Sequence, residues 1–372
     1  MKKINVLQVV PTLGYGGVAK VVLNYYKVID HDKYHFDFIT HGGEEDFHSD
    51  LIHDGCKLNY FLTIGKIGFR NYISQIKANV SVESYDVVHI HTGDITGVYA
   101  KAFKMCGAKK VICHAHTTKA VSKSHILFER ILRHMALKYS DCAMACGYEA
   151  GDYCFGKNKY IVLPNGIDFD SFNSVDKEQI EGVRASLGIP NGFFVVGHVG
   201  FFSPPKNHYF LFEIAKSYVK LHPNSVFVFC GKGPRFEDIK RMIEEEGLES
   251  KILLTGVRND INVLFHLFNV FVLPSLHEGL PVVGIEAQTS GLMCLISDKV
   301  DHQVDIGCNL CQFISIDQGI SPWIQSLESI QANPTVCDPK EIREGLKRHN
   351  YDIVSTRNIL TETYNSLSEI KG

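Results

Sequence analysis

The chain has 372 residues, of which 45% are hydrophobic and 21% charged, with a net charge of −3. That composition excludes a disordered or low-complexity chain, and the length suits two domains of roughly 150 to 200 residues. No run approaches the roughly 20 apolar residues of a membrane span, and Met1-Lys2-Lys3-Ile4 leads straight into a strand-like run instead of a signal peptide, so a cytoplasmic protein is expected.

In chain order, the first half predicts strands at Asn5-Val10, Phe36-Thr40, Lys57-Leu62, Val87-Ile90, Lys110-Cys113, Cys142-Ala145 and Tyr160-Leu163. Between them, apolar residues recur at helical spacing in Val18-Ile29, Tyr72-Asn79, Thr96-Met105 and Ile126-Tyr139. Pro164-Asn165-Gly166 is a turn signal, and the polar stretch after it reads as irregular. A second set of strands follows at Phe193-Val199, Ser225-Cys230, Ile252-Thr255, Val270-Leu273, Met293-Ile296 and Gln312-Ile314, with helices such as Phe236-Glu246 and Val282-Ser290. Alternation of this kind is the mark of α/β architecture, so the expected fold is two Rossmann-like parallel-sheet domains. Their expected bounds are 1–165 and 166–350, and ligands would bind at the carboxyl ends of the strands, in a cleft between the domains.

Charge is unevenly spread. Residues 1–164 carry 20 Lys+Arg against 15 Asp+Glu, the remainder 18 against 26, and nine bases between Lys101 and Lys138 face only Glu129. A solvated lysine-rich face is one reading; attachment to an anionic membrane surface is the other. Eleven cysteines, an odd number scattered through strands and helices, fit reduced thiols better than a disulfide framework. Cys308-x-x-Cys311 has metal-ligand spacing but no second pair, and is read as two small apolar residues beside a strand, with no metal and no cofactor expected.

Gly14-Tyr15-Gly16-Gly17-Val18-Ala19 fits the G-x-G-x-x-G/A pattern of dinucleotide sites. Pro11-Thr12-Leu13 separates it from the strand, however, and the second strand runs out at Thr40-His41 without the acid that would hold a ribose. It therefore reads as a longer glycine-rich flap before the first helix. The segment Leu273 to Leu292, LPSLHEGLPVVGIEAQTSGL, is more informative: a strand ends at Pro274, Glu278-Gly279-Leu280 form a loop, and Pro281 begins a helix. The amides of that helix start form an anion site suited to a diphosphate, and Glu278 and Glu286 could bracket one ligand, each accepting hydrogen bonds from hydroxyls. An exposed acid and a capping acid would share the same spacing.

This stretch resembles the E-x7-E signature of retaining glycosyltransferases of family 4, with wording close to the capsular and exopolysaccharide branch. The likeness continues in order through HIH at His89-His91, CHAHTT at Cys113-Thr118, LPNGID at Leu163-Asp168, GHVGFFSPPKNH at Gly197-His208, GKGP at Gly231-Pro234 and TGVRNDI at Thr255-Ile261. The resemblance implies a GT-B fold, with acceptor bound mainly by the first domain, nucleotide-sugar by the second, and the last segment, 351–372, a helix crossing back to the first. It implies that Glu278 contacts the donor sugar, Glu286 the ribose and Lys206 the diphosphate. The amides of Gly279 and Leu280 would lie near sugar and phosphate, Val257 and Arg258 would border the base, and Gly16 and Gly17 would approach the diphosphate. His114 would sit near the reacting centre, with His116 as the competing alignment.

One position departs from the family pattern: Phe201 stands where a base, most often Arg, is usual, and Arg235 and Arg258 are the nearest substitutes. The implied reaction moves a sugar from a nucleotide-sugar, UDP-linked by expectation, to a lipid-linked saccharide with retained configuration, on the inner face of the cell membrane. Nucleic acid is not an expected partner. A UDP-sugar 2-epimerase and a non-catalytic partner subunit are the alternatives.

Overall fold

The protein is described here by a computed structural model that covers residues 3–14, 17–43, 48–116, 126–157, 159–278 and 280–369. Its contacts form two units, Met1–Gly166 with Ile353–Gly372, and Ile167–Asp352.

The first unit is built on a seven-stranded sheet: β1 (Ile4–Val10), β2 (Tyr34–Thr40), β3 (Leu58–Tyr60), β4 (Val87–Ile90), β5 (Val111–Ala115), β6 (Cys142–Ala145) and β7 (Ile161–Val162). Their order is β3-β2-β1-β4-β5-β6-β7, every pairing parallel. Helices cover both faces, so the central strands read as near-continuous apolar runs. The pleat sorts their side chains by alternate residues. Leu7, Val9, Val88, Ile90, Val111 and Cys113 enter one core; Val6, Val10, Val87 and Ile112 enter the other, against Tyr25 of the first helix (Gly17–Val28) and Leu360 and Tyr364 of the last (Ile353–Glu369). That last helix packs on the first helix, β1 and β4, and so belongs to the first unit although it follows the second in sequence.

The second unit holds β8 (Phe194–Val199), β9 (Ser225–Cys230), β10 (Ile252–Gly256), β11 (Val270–Leu273), β12 (Cys294–Ser297) and β13 (Cys311–Ile314), in the parallel order β10-β9-β8-β11-β12-β13. Its two cores again lie on opposite faces, one around Phe271, Ile285 and Leu346, the other around Phe212, Phe229 and Trp323.

All thirteen expected strands are present; the edge strands β3 and β7 of the first sheet are shorter than expected, and the edge strands β10 and β13 of the second are each one residue longer. The polar stretch after Gly166 is not irregular: it forms helices Phe169–Asn173 and Lys177–Ser186. The second starts with a capping box, in which the Asp176 carboxylate accepts from the Gln179 amide at 2.8 Å and the Gln179 side chain accepts from the Asp176 amide at 3.0 Å. All eleven cysteines are free. Cys308 is buried with its Sγ 3.2 Å from the Glu341 carbonyl, and Cys311 lies on β13.

Candidate active site

In each sheet the strand order reverses once, between β1 and β4 and between β8 and β11, and ligands of such sheets bind beside that reversal at the carboxyl ends. In the second unit three loops and the end of β10 meet there. The Gly231 amide donates to the Gly256 carbonyl at 2.8 Å, the Phe202 amide to the Lys232 carbonyl at 2.8 Å, and the Leu276 amide to the Pro205 carbonyl at 2.7 Å. These bonds tie the end of β10 and the loops after β9, β8 and β11 into one surface. A Cβ at Gly231, whose φ is +143°, would lie 1.9 Å from the Gly200 carbonyl oxygen, so only glycine allows the β8 and β9 loops to close on each other.

Lys206 ends a short 3₁₀ turn, Pro204–Lys206, and Asn207 follows it in the left-handed conformation, bonding the Pro274 carbonyl at 3.1 Å. This places the Lys206 ammonium 2.7 Å from Glu278 Oε2, with the two side chains 16% and 15% exposed. The Ser275 hydroxyl donates to the other oxygen of Glu278, and the Glu278 carbonyl accepts from the Asp301 amide at 3.2 Å. Glu278 is thus fixed from three sides beside the strand reversal. An ammonium has three donors, so Lys206 can hold Glu278 and still donate to a bound anion.

Helix Val282–Thr289 begins at the expected Val282, with Pro281 as its cap residue instead of its first helical residue, and without a side-chain cap bond. Leu280 leads into it, half-buried, and Glu286 sits on its second turn at 5% exposure. Val257, 38% exposed, and Arg258 follow β10. Neither substitute proposed for the missing base is unencumbered: Arg258 Nε bonds Asp260 at 2.8 Å, and Arg235 bonds the Tyr209 hydroxyl at 2.9 Å and Asp238 at 3.3 Å. Phe201 is 55% exposed on the same loop as Lys206. Gly279 and Gly16 lie outside the described residues; Gly17 is the first residue of its helix.

In the first unit, burial separates the two candidate histidines. His114, on β5, has no exposed surface, its Nε2 finds no partner among the described residues, and Tyr25 stacks over it at 6.4 Å. His116, one residue past the end of β5, is partly exposed. Of the pair, His116 is therefore the one with exposed surface. Burial pushes His114 well below the usual imidazole range and His116 down to about 4, so both are neutral.

His89, His91 and His114 each bring a ring nitrogen within 4.8 Å of the others. The His89 and His91 rings lie 4.2 Å apart, tilted by 30°, however, and their nitrogens are committed to hydrogen bonds. Sequence reasoning passed over Ser275, Gln8 and Tyr364; the paired H-x-H spacings on adjacent strands were the readable signal for the histidine cluster, since period two puts both rings of each pair on one face.

Two Rossmann-like units of this kind, the second with a Lys-Glu pair at its strand reversal, are the architecture of a GT-B glycosyltransferase. The crystal structure of Anabaena HepE in complex with UDP matches with a TM-score of 0.78 over 98% of this chain and 100% of that one, at 18% identity. The model of glycosyltransferase family 4 matches residues 15–171 and that of glycosyl transferases group 1 residues 179–310. Bacillus subtilis (strain 168) EpsF, named as a glycosyltransferase, is 31% identical over 376 residues, 98% of this chain and 97% of that protein. The UDP-Gal:alpha-D-GlcNAc-diphosphoundecaprenol alpha-1,3-galactosyltransferase of Escherichia coli is 29% identical over 384 residues, 96% and 94% of the two chains. The chain belongs to this family of group 1 and family 4 glycosyltransferases, and it is an enzyme.

Proposed function

We propose that the enzyme transfers a sugar, with retention of anomeric configuration, from a UDP-sugar to a hydroxyl of a lipid-linked saccharide during synthesis of a surface polysaccharide. The observation that carries this reading is the Lys206–Glu278 pair, held at 2.7 Å beside the strand reversal of the second unit. The names of the relatives support the donor and acceptor classes: HepE was crystallised with UDP and with UDP-glucose, and the Escherichia coli enzyme is named for a UDP-linked donor and a diphosphoundecaprenol-linked acceptor.

In this reading Lys206 and the amides of Gly279 and Leu280 neutralise the departing diphosphate, with Gly16 and Gly17 supplying further amides. Glu278 holds the donor sugar, Glu286 the ribose, and the backbone at Val257 and Arg258 the base. The acceptor oxygen bonds to the anomeric carbon on the face from which the phosphate oxygen leaves, and that oxygen takes the acceptor proton. The products are the extended saccharide and UDP. His116 replaces His114 as the imidazole offered to substrate, because His114 is enclosed. Positioning and charge stabilisation then supply the rate, without a protein nucleophile.

Glu278→Ala should abolish sugar transfer to a diphospho-polyprenol saccharide while leaving the far-ultraviolet circular dichroism unchanged. Full transfer by that variant would overturn the assignment. Conversion of a UDP-sugar alone into an epimer would favour the epimerase instead.

A further inference from the structure

Five buried side chains of the first unit, Gln8, His89, His91, His114 and Tyr364, form with the partly exposed His116 one head-to-tail chain of hydrogen bonds. The Gln8 amide sets its direction: its nitrogen donates to the Tyr364 hydroxyl at 3.1 Å, and its carbonyl oxygen faces His91 Nε2 at 2.9 Å. A carbonyl only accepts, so the His91 proton must be on Nε2. A neutral imidazole carries one N–H, which leaves His91 Nδ1 bare, and His116 Nε2, 2.9 Å away, must donate to it. On the other side of Gln8, Tyr364 has accepted one bond and its own proton goes to His89 Nδ1 at 2.8 Å. His89 Nε2 then donates to His114 Nδ1 at 3.2 Å. Protons therefore point one way from His116 through His91, Gln8, Tyr364 and His89 to His114.

Neutral rings are required throughout, and burial supplies them by pushing His89, His91 and His114 far below the usual imidazole range. Each bond polarises the next, so the direction is set for the chain as a whole. The structure contains no competing bond at Nδ1 of His116 among the described residues.

We infer that Gln8 and Tyr364 are positioning residues that lock His116 as its Nε2–H tautomer, so that His116 presents a bare Nδ1 acceptor to a sugar hydroxyl of the substrate. The sugar hydroxyl rests on the transferase reading above; the tautomer does not. A hydroxyl donating to Nδ1 is accepted, whereas a group offering only an acceptor is refused. Tyr364 comes from the last helix, so this selectivity at the carboxyl end of β5 is fixed by a residue far along the chain.

The test uses full-length protein labelled with ¹⁵N-histidine and long-range ¹H–¹⁵N spectra, which report the two ring nitrogens separately and need no substrate. His116 is assigned by its loss in His116→Asn. In the unaltered protein His116 should show a protonated Nε2 and a bare Nδ1. In Gln8→Leu and Tyr364→Phe it should become a mixture of tautomers while circular dichroism stays unchanged. A proton on Nδ1 of His116 in the unaltered protein, or the same single tautomer in both variants, would overturn the inference. With donor and acceptor supplied, Tyr364→Phe should lower kcat by roughly 10- to 100-fold and leave the donor KM within about twofold. A raised donor KM with unchanged kcat would count against it. Loss of Glu278-dependent transfer as an activity, beside the expected spectra, would sink the transferase reading alone.

Discussion

Lys206 and Glu278 neutralise one another in a nearly closed setting, and every other base considered for the diphosphate is tied to a carboxylate. The charge facing a departing diphosphate is therefore smaller than an arginine-lysine pair would give. Phe201, 55% exposed and four residues before Pro205 on the same loop, can be exchanged without disturbing a core. Phe201→Arg should raise kcat for transfer, by up to about a hundredfold if the guanidinium reaches the phosphates, with little change in melting temperature. An unchanged kcat at saturating donor would show that another group already fills this role. Sequence alone could nominate Arg235 and Arg258 but not discard them, because an ion pair such as Arg258–Asp260 depends on where side chains fall, which spacing does not report.

The strands were legible because parallel strands covered on both faces are short apolar runs bounded by turn residues, and β1, β4, β9 and β11 stand out in this way. The same property hid which histidine is exposed. Every residue of β5 is buried, so alternation carries no information about inside and outside, and the distinction between His114 and His116 rests on where the strand stops. The helices after Gly166 were missed for a different reason: Lys177–Ser186 has no fully buried residue and hence a weak apolar stripe, although its capping box was readable. Helix contacts were likewise invisible. Helix Thr96–Met105 crosses helix Ile126–Tyr139 at Gly97, where a Cβ would lie 2.3 Å from the Ala136 backbone nitrogen. Backbone cannot move aside as a side chain can, so Gly97→Ala should cost about 1–3 kcal/mol. Calorimetry should show this as a melting temperature lower by several degrees.

At the scale of the molecule, the first unit carries 22 Lys+Arg against 17 Asp+Glu and the second 16 against 24. Among the described residues no helix is long and apolar enough to cross a membrane. If the basic unit meets an anionic bilayer where lipid-linked acceptors reside, binding to phosphatidylglycerol vesicles should weaken steeply as salt rises from 0.01 to about 0.15 M, over which the screening length shrinks from about 30 to 8 Å; salt-insensitive binding would refute an electrostatic attachment. The first unit also carries five histidines held below the usual imidazole range, His89, His91 and His114 well below it, His41 and His116 to about 4. Such groups are neutral when folded but take up protons when unfolded, so stability is complete above pH about 6.5 and is lost as pH falls toward 4. Each contributes about 1.4 kcal/mol per pH unit in that window. Chemical denaturation at pH 7.5, 6 and 5 should show the first unit weakening with each step; equal midpoints would contradict the neutral cluster.

The last helix has a consequence for how the protein is made. Its Tyr364 packs against a sheet whose first strand begins at Ile4, and the whole second unit is synthesised in between. At roughly 5–20 residues per second, a ribosome takes on the order of ten to forty seconds to add the 186 residues from Ile167 to Asp352. During that time Gln8 and His89 await a hydroxyl that has not yet been translated. The inserted unit, continuous in sequence, can fold while the chain still grows, whereas the unit that starts first is completed only once its last helix, Ile353–Glu369, has left the ribosome.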